Sequence, residues 1–523
     1  MVCGSGAGTA GREALAVGNG EVTMSNVLYD ELAIQMYPSG LLHHFGVNGK
    51  VSGSIGAIGE MQGVIPIIHG PAGCAFHYRY SARRRHEPFY NVMTSALEQP
   101  EIICGGEEKL KEEIRKIWKR YAPGLILIVP SPVSDILNED LLEVARSLRE
   151  QEGIPVAAVK SELFSHRDKN YTRNRMKELA NQKITGDNRL STDLKGCGFT
   201  EVLTALVEQV MEPCEKEPLS INIETVGWGS EGVRALPEIE QFLNRAGVRV
   251  NTWIPSAPLG DLVHAPKAAL NVAKRVRWAR KMKERFGTDF IHLSGARYEG
   301  LDGICTFYQD IGDALGIGET MAMLVEAEKE RVLAATASMR AELGTYRCML
   351  LDRGISMAPF HLKKYREDYG FPIQSICLFV TEDARVQGGI TEELLTKFLK
   401  RVEEARDTWA PGAEILLNPS EEELAGRMKK ADLILGTNDF RYEGKGAPLL
   451  PEKLELLSLS FESYVRSVER VARHAAGAQE KTHLLLNQMP ITQESFPFLE
   501  NGKNECAREL WNQMWLNKKR DEP

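Results

Sequence analysis

The run "LILIVP" at residues 125–130 is apolar up to and including its proline. A half-exposed strand alternates inward and outward residues, so an unbroken apolar run reads as a strand covered on both faces. Behind it comes "SDILNEDLLEVARSLREQEG", whose apolar residues recur at helical spacing as far as Gly153, followed by a second run, "IPVAAV". Strand, helix and strand in this order make a parallel crossover unit.

The unit recurs along the chain. "LSINIETVGW" (219–228) leads to the helix "LPEIEQFLNRAG" and the strand "VRVNTWIP". A helix through "AALNVAKRVRWARKMKERFG" and the strand "TDFIHLSG" follow. A third set starts at "YRCMLLDRG" (346–354) and continues through "IQSICLFV", "AEILLNP", "ADLILGTNDF" and "LELLSLSF", with helices such as "TEELLTKFLKRVEEA" between them. The predicted fold is α/β, with three doubly wound (Rossmann-like) parallel-sheet domains. A length of 523 residues agrees, being too great for one hydrophobic core.

The expected divisions are a flexible Gly/Ala arm over 1–25, a first α/β domain over 26–215, a second over 216–322, a bridging helix with the third domain over 323–480, and a tail over 481–523. The stretch around 165–200 reads as irregular. The charged helix "MLVEAEKERVLAATASMRAELG" (323–344) joins the second and third sheets. Ligands of such folds lie beyond the carboxyl ends of the strands, which directs attention to the turns found there.

Composition excludes several classes. A formal charge of −8 argues against nucleic acid as the main partner. No apolar stretch is long enough to span a bilayer, and the start lacks the basic-then-apolar layout of a secretory signal. Nine cysteines, an odd number without C-x-x-C spacing, suit reduced thiols and a cytoplasmic location.

"GWGSEG" (227–232) has the form G-x-G-x-x-G after a strand, but the next strand offers Asn251 where a dinucleotide fold needs a carboxylate. A tight strand-to-helix turn explains it. No G-x-x-x-x-G-K-[ST] loop occurs, since "VNGKVSG" and "YEGKGAP" lack its geometry and its hydroxyl; the chain is not expected to hydrolyse ATP itself.

"HGPAGC" (69–74) differs from these. Gly70 and Gly73 permit a backbone too crowded for side chains, and Pro71 stiffens the turn. Cys74 falls at the start of the helix "AFHYRY", where amide groups and the dipole favour a thiolate, the soft donor that iron–sulfur clusters take. A buried cysteine acting as a small apolar residue is the competing reading. One thiolate cannot hold a cluster that needs about four, so the other donors must come from elsewhere in the chain or from another subunit.

Cys104 in "IICGGEEKL" is the nearest internal candidate, although a thiol beside a Gly-Gly turn accounts for it. "SARRRHEPF" places Arg83, Arg84, Arg85 and His86 next to the candidate site, as a solvated basic loop or a dock for a negative group. His69, His77 and His361 have no companion at metal spacing and suit ordinary hydrogen-bonded roles.

At this point "PIIHGPAGCAFHYRYSARRRHEPF" resembles the segment of the nitrogenase component-1 superfamily that carries a cluster-binding cysteine, with the Arg-rich R-x-x-x-E-P loop of its β-type members. "CGGEEKLKEEI", "LILIVPSPVSDILNEDL" and "ADLILGTNDFRYEGKGAPLL" follow in the family's order, and the likeness runs from about residue 45 to 475. The catalytic subunits of that family offer three cysteines each to an eight-iron cluster. Here Ser52 stands near the first expected place and Pro132 at or beside the third, so Cys74 alone remains.

The single cysteine resembles the β-type subunit of the cofactor-assembly scaffold, whose partner supplies the other three to a four-iron cluster at the interface. The resemblance thus implies Cys74 as a metal ligand, with Gly70 and Gly73 beside the cofactor. It further implies a homologous α-type partner in a heterotetramer and an ATP-hydrolysing iron protein as electron donor. Any larger iron–sulfur cofactor would sit in the partner, since no Cys and His pair transfers to this chain and neither Cys305 nor His361 qualifies.

Three functions are compatible with these residues. The chain is expected first to be a β-like subunit of a nitrogenase-like oxidoreductase, relaying electrons through a shared 4Fe–4S cluster. The alternatives are a scaffold subunit for metallocofactor assembly, and a small-ligand-binding α/β protein in which Cys74 is merely buried.

Overall fold

A computed structural model describes residues 50–84, 92–160, 194–225, 229–293, 295–352, 358–380, 392–436, 447–450 and 459–478. The arm over 1–25 and the tail over 481–523 lie outside the described residues, as do Arg85 and His86.

Twelve strands form three four-stranded sheets among the described residues, and every strand pair is parallel. The first sheet has the order β2-β1-β3-β4, from β1 (Val64–His69), β2 (Met93–Thr94), β3 (Leu125–Pro130) and β4 (Val156–Ala158). The second has the order β6-β5-β7-β8, from β5 (Glu217–Glu224), β6 (Arg249–Ile254), β7 (Ala268–Ala273) and β8 (Asp289–His292). The third has the order β11-β10-β9-β12, from β9 (Cys348–Asp352), β10 (Ile373–Leu378), β11 (Glu414–Leu417) and β12 (Leu433–Leu435).

The unbroken apolar runs do become strands covered on both faces. All six residues of β3 are buried. Leu125, Leu127 and Val129 join one core and Ile126 and Ile128 another, against the helices Glu107–Tyr121 and Leu141–Glu152. Local chemistry marks where one helix here starts and where another ends. Ser131 caps Pro132–Leu137 by accepting from the Ser134 amide, and Gly153 closes Leu141–Glu152 in the left-handed region.

Three elements differ from the sequence reading. "AALNVA" is the strand β7, and only Val276–Phe286 of the expected helix is helical. Alanine's helix propensity misleads there, because β5 and β8 pair with the segment on either side and tertiary context overrides a weak local preference. The helix expected after β3 is broken at Asn138, which adopts a left-handed φ of 54°. The irregular stretch ends early, in the helix Leu194–Gln209. "LELLSLSF" falls mostly outside the described residues, and Phe461 begins the helix Phe461–Ala478.

The cores cross the sheet boundaries. Ile221, Ile223, Leu270 and Val272 of the second sheet lie in one cluster with Leu350, Ile376 and Leu433 of the third. The helix Gly300–Ala314 and the long helix Gly318–Leu343 also contribute to it. A second cluster joins Val129, Val202 and Leu203 to Ile254, Trp278 and Met282. The second sheet also carries a largely buried polar ladder: Asn251 Nδ2 donates to Asn222 Oδ1, and Asn222 Nδ2 donates to Asn271 Oδ1, both at 2.8 Å. At its carboxyl end, Glu224 accepts from Trp278 Nε1 at 2.8 Å and pairs with Arg275.

Candidate functional site

In the first sheet the strand order reverses between β1 and β3, the switch point beyond whose carboxyl ends folds of this kind bind their ligands. β1 delivers His69, Gly70 and Pro71 to that edge, and the helix Ala72–Arg84 starts immediately. Cys74 is its third residue, with its amide donating to Pro71 O at 3.0 Å.

Gly70 is held on every side. Its N–H donates to Ser95 Oγ at 3.0 Å, and its carbonyl accepts from Thr94 Oγ1 and from the Leu97 amide, each at 3.1 Å. A Cβ here would lie 2.8 Å from Ser131 Cβ and nearer still to Ser131 Oγ, so only glycine fits. The same point is 3.9 Å from Cys74 Sγ, which sets Gly70 next to the thiol.

Gly73 does not share this crowding. It is exposed, with no atom within 4 Å of where its Cβ would lie. Cys74 itself is free and half-buried against the edge of the first core. Burial pushes its thiol up, so desolvation outweighs the expected help from the helix start in the free chain. Burial and, second, the neighbouring Cys74 push the Tyr78 phenol up to about 12.

Beneath the turn lies a hydrogen-bonded chain. His69 Nδ1 meets Ser95 Oγ at 2.9 Å, and His69 Nε2 meets Glu139 Oε2 at 2.6 Å. Glu139 Oε1 accepts the Gly106 amide. Burial lowers the His69 pKa, opposed by the hydrogen bond from Glu139. The expected ordinary role for His69 is therefore a buried, fully paired one. His361 lies edge-on and tilted against Phe360 and Tyr365, with ring centroids 6.2 and 6.3 Å away.

The other sequence candidates add no group of metal donors to Cys74 among the described residues. Ser52 is buried in the helix Lys50–Gly59, and Ser131 and Pro132 follow β3 as a helix cap. Cys104 is exposed at the end of the helix Gln99–Cys104, and Cys305 is half-buried, its thiol pushed up to about 11 mainly by burial. Arg83 and Arg84 close the helix Ala72–Arg84. Among the described residues, no group of three or more His, Cys, Asp or Glu could hold a metal ion.

Sequence reading missed an apolar rim. Phe76 is 65% exposed, Ile103 81% and Ile136 84%, on three helices that leave the carboxyl ends of β1, β2 and β3. Large exposed apolar side chains beyond the carboxyl ends of one sheet mark a surface suited to a partner. A separate cavity of about 150 Å³ lies between the helices Gly300–Ala314 and Ala358–Glu367, lined by Arg297, Asp302, Lys363, Lys364 and Asp368. Burial pushes Asp368 up to about 6, and its Oδ1 accepts the Leu301 amide at 3.0 Å.

The family described as Nitrogenase component 1 type Oxidoreductase matches residues 50–454. The nitrogenase iron-molybdenum cofactor biosynthesis protein NifE of Methanococcus maripaludis is 24% identical over 310 residues, 56% of each chain. A light-independent protochlorophyllide reductase subunit of Heliobacterium modesticaldum is 26% identical over 280 residues, 52% of this chain and 48% of that one. The chain thus spans about half the length of the curated relatives it matches. Among solved structures, "Nitrogenase Cp1 at pH 6.5" superposes with a TM-score of 0.52 at 16% identity, over 83% of this chain and 90% of that one, a likeness of fold. No helix among the described residues is long and apolar enough to cross a membrane.

Proposed function

The chain belongs to the nitrogenase component 1 type oxidoreductase family, and on that premise we propose that it is a β-like subunit of a nitrogenase-like oxidoreductase. In this reading it shares a 4Fe–4S cluster with a homologous α-type partner and receives electrons from a separate ATP-hydrolysing iron protein. The observation that carries it is one free thiol set on a clamped turn at the first sheet's switch point, beside an exposed apolar rim.

The residues fit one corner of such a cluster. Cys74 would be the ligand, Gly70 lies next to its sulfur, and the open side at Gly73 leaves room for close approach. A cubane takes about four thiolates, so the missing donors fall to the partner. The apolar rim supplies a reason for that partner to dock there, because covering exposed apolar side chains drives association. When bound, the cluster supplies one-electron transfer; the chain's own part is to hold the sulfur and exclude water around it. Metal binding displaces the proton that burial otherwise keeps on Cys74.

A second reading, a scaffold subunit for metallocofactor assembly, is supported by the name of the Methanococcus maripaludis relative, a cofactor biosynthesis protein. Both readings share the Cys74 ligand and part on turnover. A reductase consumes substrate with ATP and the iron protein, whereas a scaffold hands a cluster to an apo-acceptor.

The test is to isolate the chain with its partner without oxygen, count iron and record EPR of the reduced complex. Cys74→Ala is expected to lose most of the cluster and Cys104→Ala to lose little. The reverse result would move the site to Cys104, and an iron-free, colourless complex would leave only a small-ligand-binding α/β protein.

A further inference from the structure

The turn carrying Cys74 is tied to side chains that the cluster reading does not use. His69 and Ser95 have no exposed surface, and the Glu139 side chain is 6% exposed. Their hydrogen bonds have one consistent direction. A carboxylate can only accept, so the His69 proton facing it sits on Nε2. Burial favours the neutral ring, so Nδ1 then accepts the Ser95 hydroxyl proton. The remaining lone pairs of Ser95 receive the Gly70 N–H at 3.0 Å, while the alternative acceptor for its proton, Gly70 O, is more distant at 3.5 Å.

Glu139 does more than orient the imidazole. Its second oxygen accepts the Gly106 amide, two residues beyond Cys104, and it follows Ile136 by three positions. A Cβ at Gly106 would lie 3.1 Å from His69 Cε1, so the Cys104–Gly106 loop rests directly on the histidine. One carboxylate therefore links the three segments that carry Phe76, Ile103 and Ile136 to the peptide next to the thiol. Filling the same space with apolar side chains would cost less desolvation, which argues that orientation is what the buried network provides.

We propose that Glu139 and His69 are positioning residues for the Cys74 thiol, fixing the Gly70 peptide through Ser95 and joining it to the surrounding apolar rim. The inference rests on Cys74 as a cluster ligand, but its mechanical part concerns this chain alone. Glu139→Gln keeps the shape and breaks the direction. If its carbonyl keeps the Gly106 amide, its NH2 faces Nε2, and the imidazole proton must move to Nδ1. Ser95→Ala removes the link to Gly70 and leaves the carboxylate paired, so it serves if Glu139→Gln does not fold.

Two measurements test this. In the isolated chain, iodoacetamide labelling of Cys74, followed by peptide mass spectrometry with Cys214 as the internal reference, is expected to speed up severalfold in both variants. In the anaerobically isolated complex, iron content is expected to stay near that of the parent, while the EPR line shape and midpoint potential change. Folded variants with unchanged labelling, line shape and potential would overturn the inference while leaving the cluster reading intact. A parent complex without iron, or full iron in Cys74→Ala, defeats the cluster reading instead, and the labelling arm then decides the positioning role by itself.

Discussion

Gly70→Ala and Gly73→Ala are the same chemical change at two places in one turn, and they are expected to behave oppositely. At Gly70 the new methyl would meet Ser131 Cβ at 2.8 Å and Ser131 Oγ closer still. Its φ is outside the left-handed region, so the cost is steric rather than conformational. Overpacking of this kind costs about 2 kcal/mol, and neither the β3 backbone nor the capped serine can easily retreat. At about 1 °C per kcal/mol for a chain of this length, the isolated chain should melt about 2 °C lower. Ser131→Gly removes both offending atoms, and the lost cap costs only about a few tenths of a kcal/mol. The double variant should therefore recover most of the loss, a coupling well above the ~0.5 kcal/mol expected of independent sites. At Gly73 nothing lies within 4 Å, and replacing a helical glycine gains about 0.5 kcal/mol. Gly73→Ala should thus hold or raise the melting temperature of the chain alone while lowering iron retained by the complex. Thermal unfolding followed by circular dichroism, with iron counted on the same preparations, reads the parent and the four variants. A Gly70→Ala chain as stable as the parent, or one that Ser131→Gly fails to rescue, would refute the packing described for this turn.

Two further outcomes follow from the surface and the cavity. Ile103→Asp and Ile136→Asp change exposed residues, so the isolated chain should keep its stability within about 0.5 kcal/mol. Partner binding, measured by titration calorimetry, should weaken at least about tenfold for each; unchanged affinity would remove the rim from the interface. Burial raises the Asp368 pKa to about 6, so between pH ~4 and ~6 the folded carboxyl keeps a proton that the unfolded one has released. Stability is then lost as pH rises through that window, by about 3 kcal/mol at 1.36 kcal/mol per unit. Asp368→Asn keeps an acceptor for the Leu301 amide and should gain on the parent by this amount from pH 4 to pH 7, and a flat difference would contradict the burial.

What was legible in the chain is what burial writes locally. "LILIVP" announces β3 because both faces of that strand are covered, and every residue reports it. "AALNVA" gave no such signal, since small residues suit either state and the partners β5 and β8 decide its fate. At the site, "HGPAGC" correctly pointed to a constrained turn, yet spacing could not say which glycine is crowded. Ser131 decides that, and it reaches Gly70 only through the pairing of β1 with β3. Glu139 was invisible for the same reason, being far along the chain from His69 and bonded to it only after folding. Phe76, Ile103 and Ile136 look like ordinary members of amphipathic helices until the sheet gathers them at one edge.

The second sheet has a consequence for anyone who would dissect the molecule. Its apolar side is fused to the third sheet's core, and its other side carries a ladder of asparagines, while Ile254 and Trp278 share a core with the first sheet. Its own helices Gly229–Arg245 and Val276–Phe286 supply only part of each covering. A fragment cut to this middle leaf would bare grease on one surface and stranded amides on the other, so an excised piece would report on aggregation and not on function. Deletion mapping must therefore treat the three sheets as a bound book whose central page cannot be read loose.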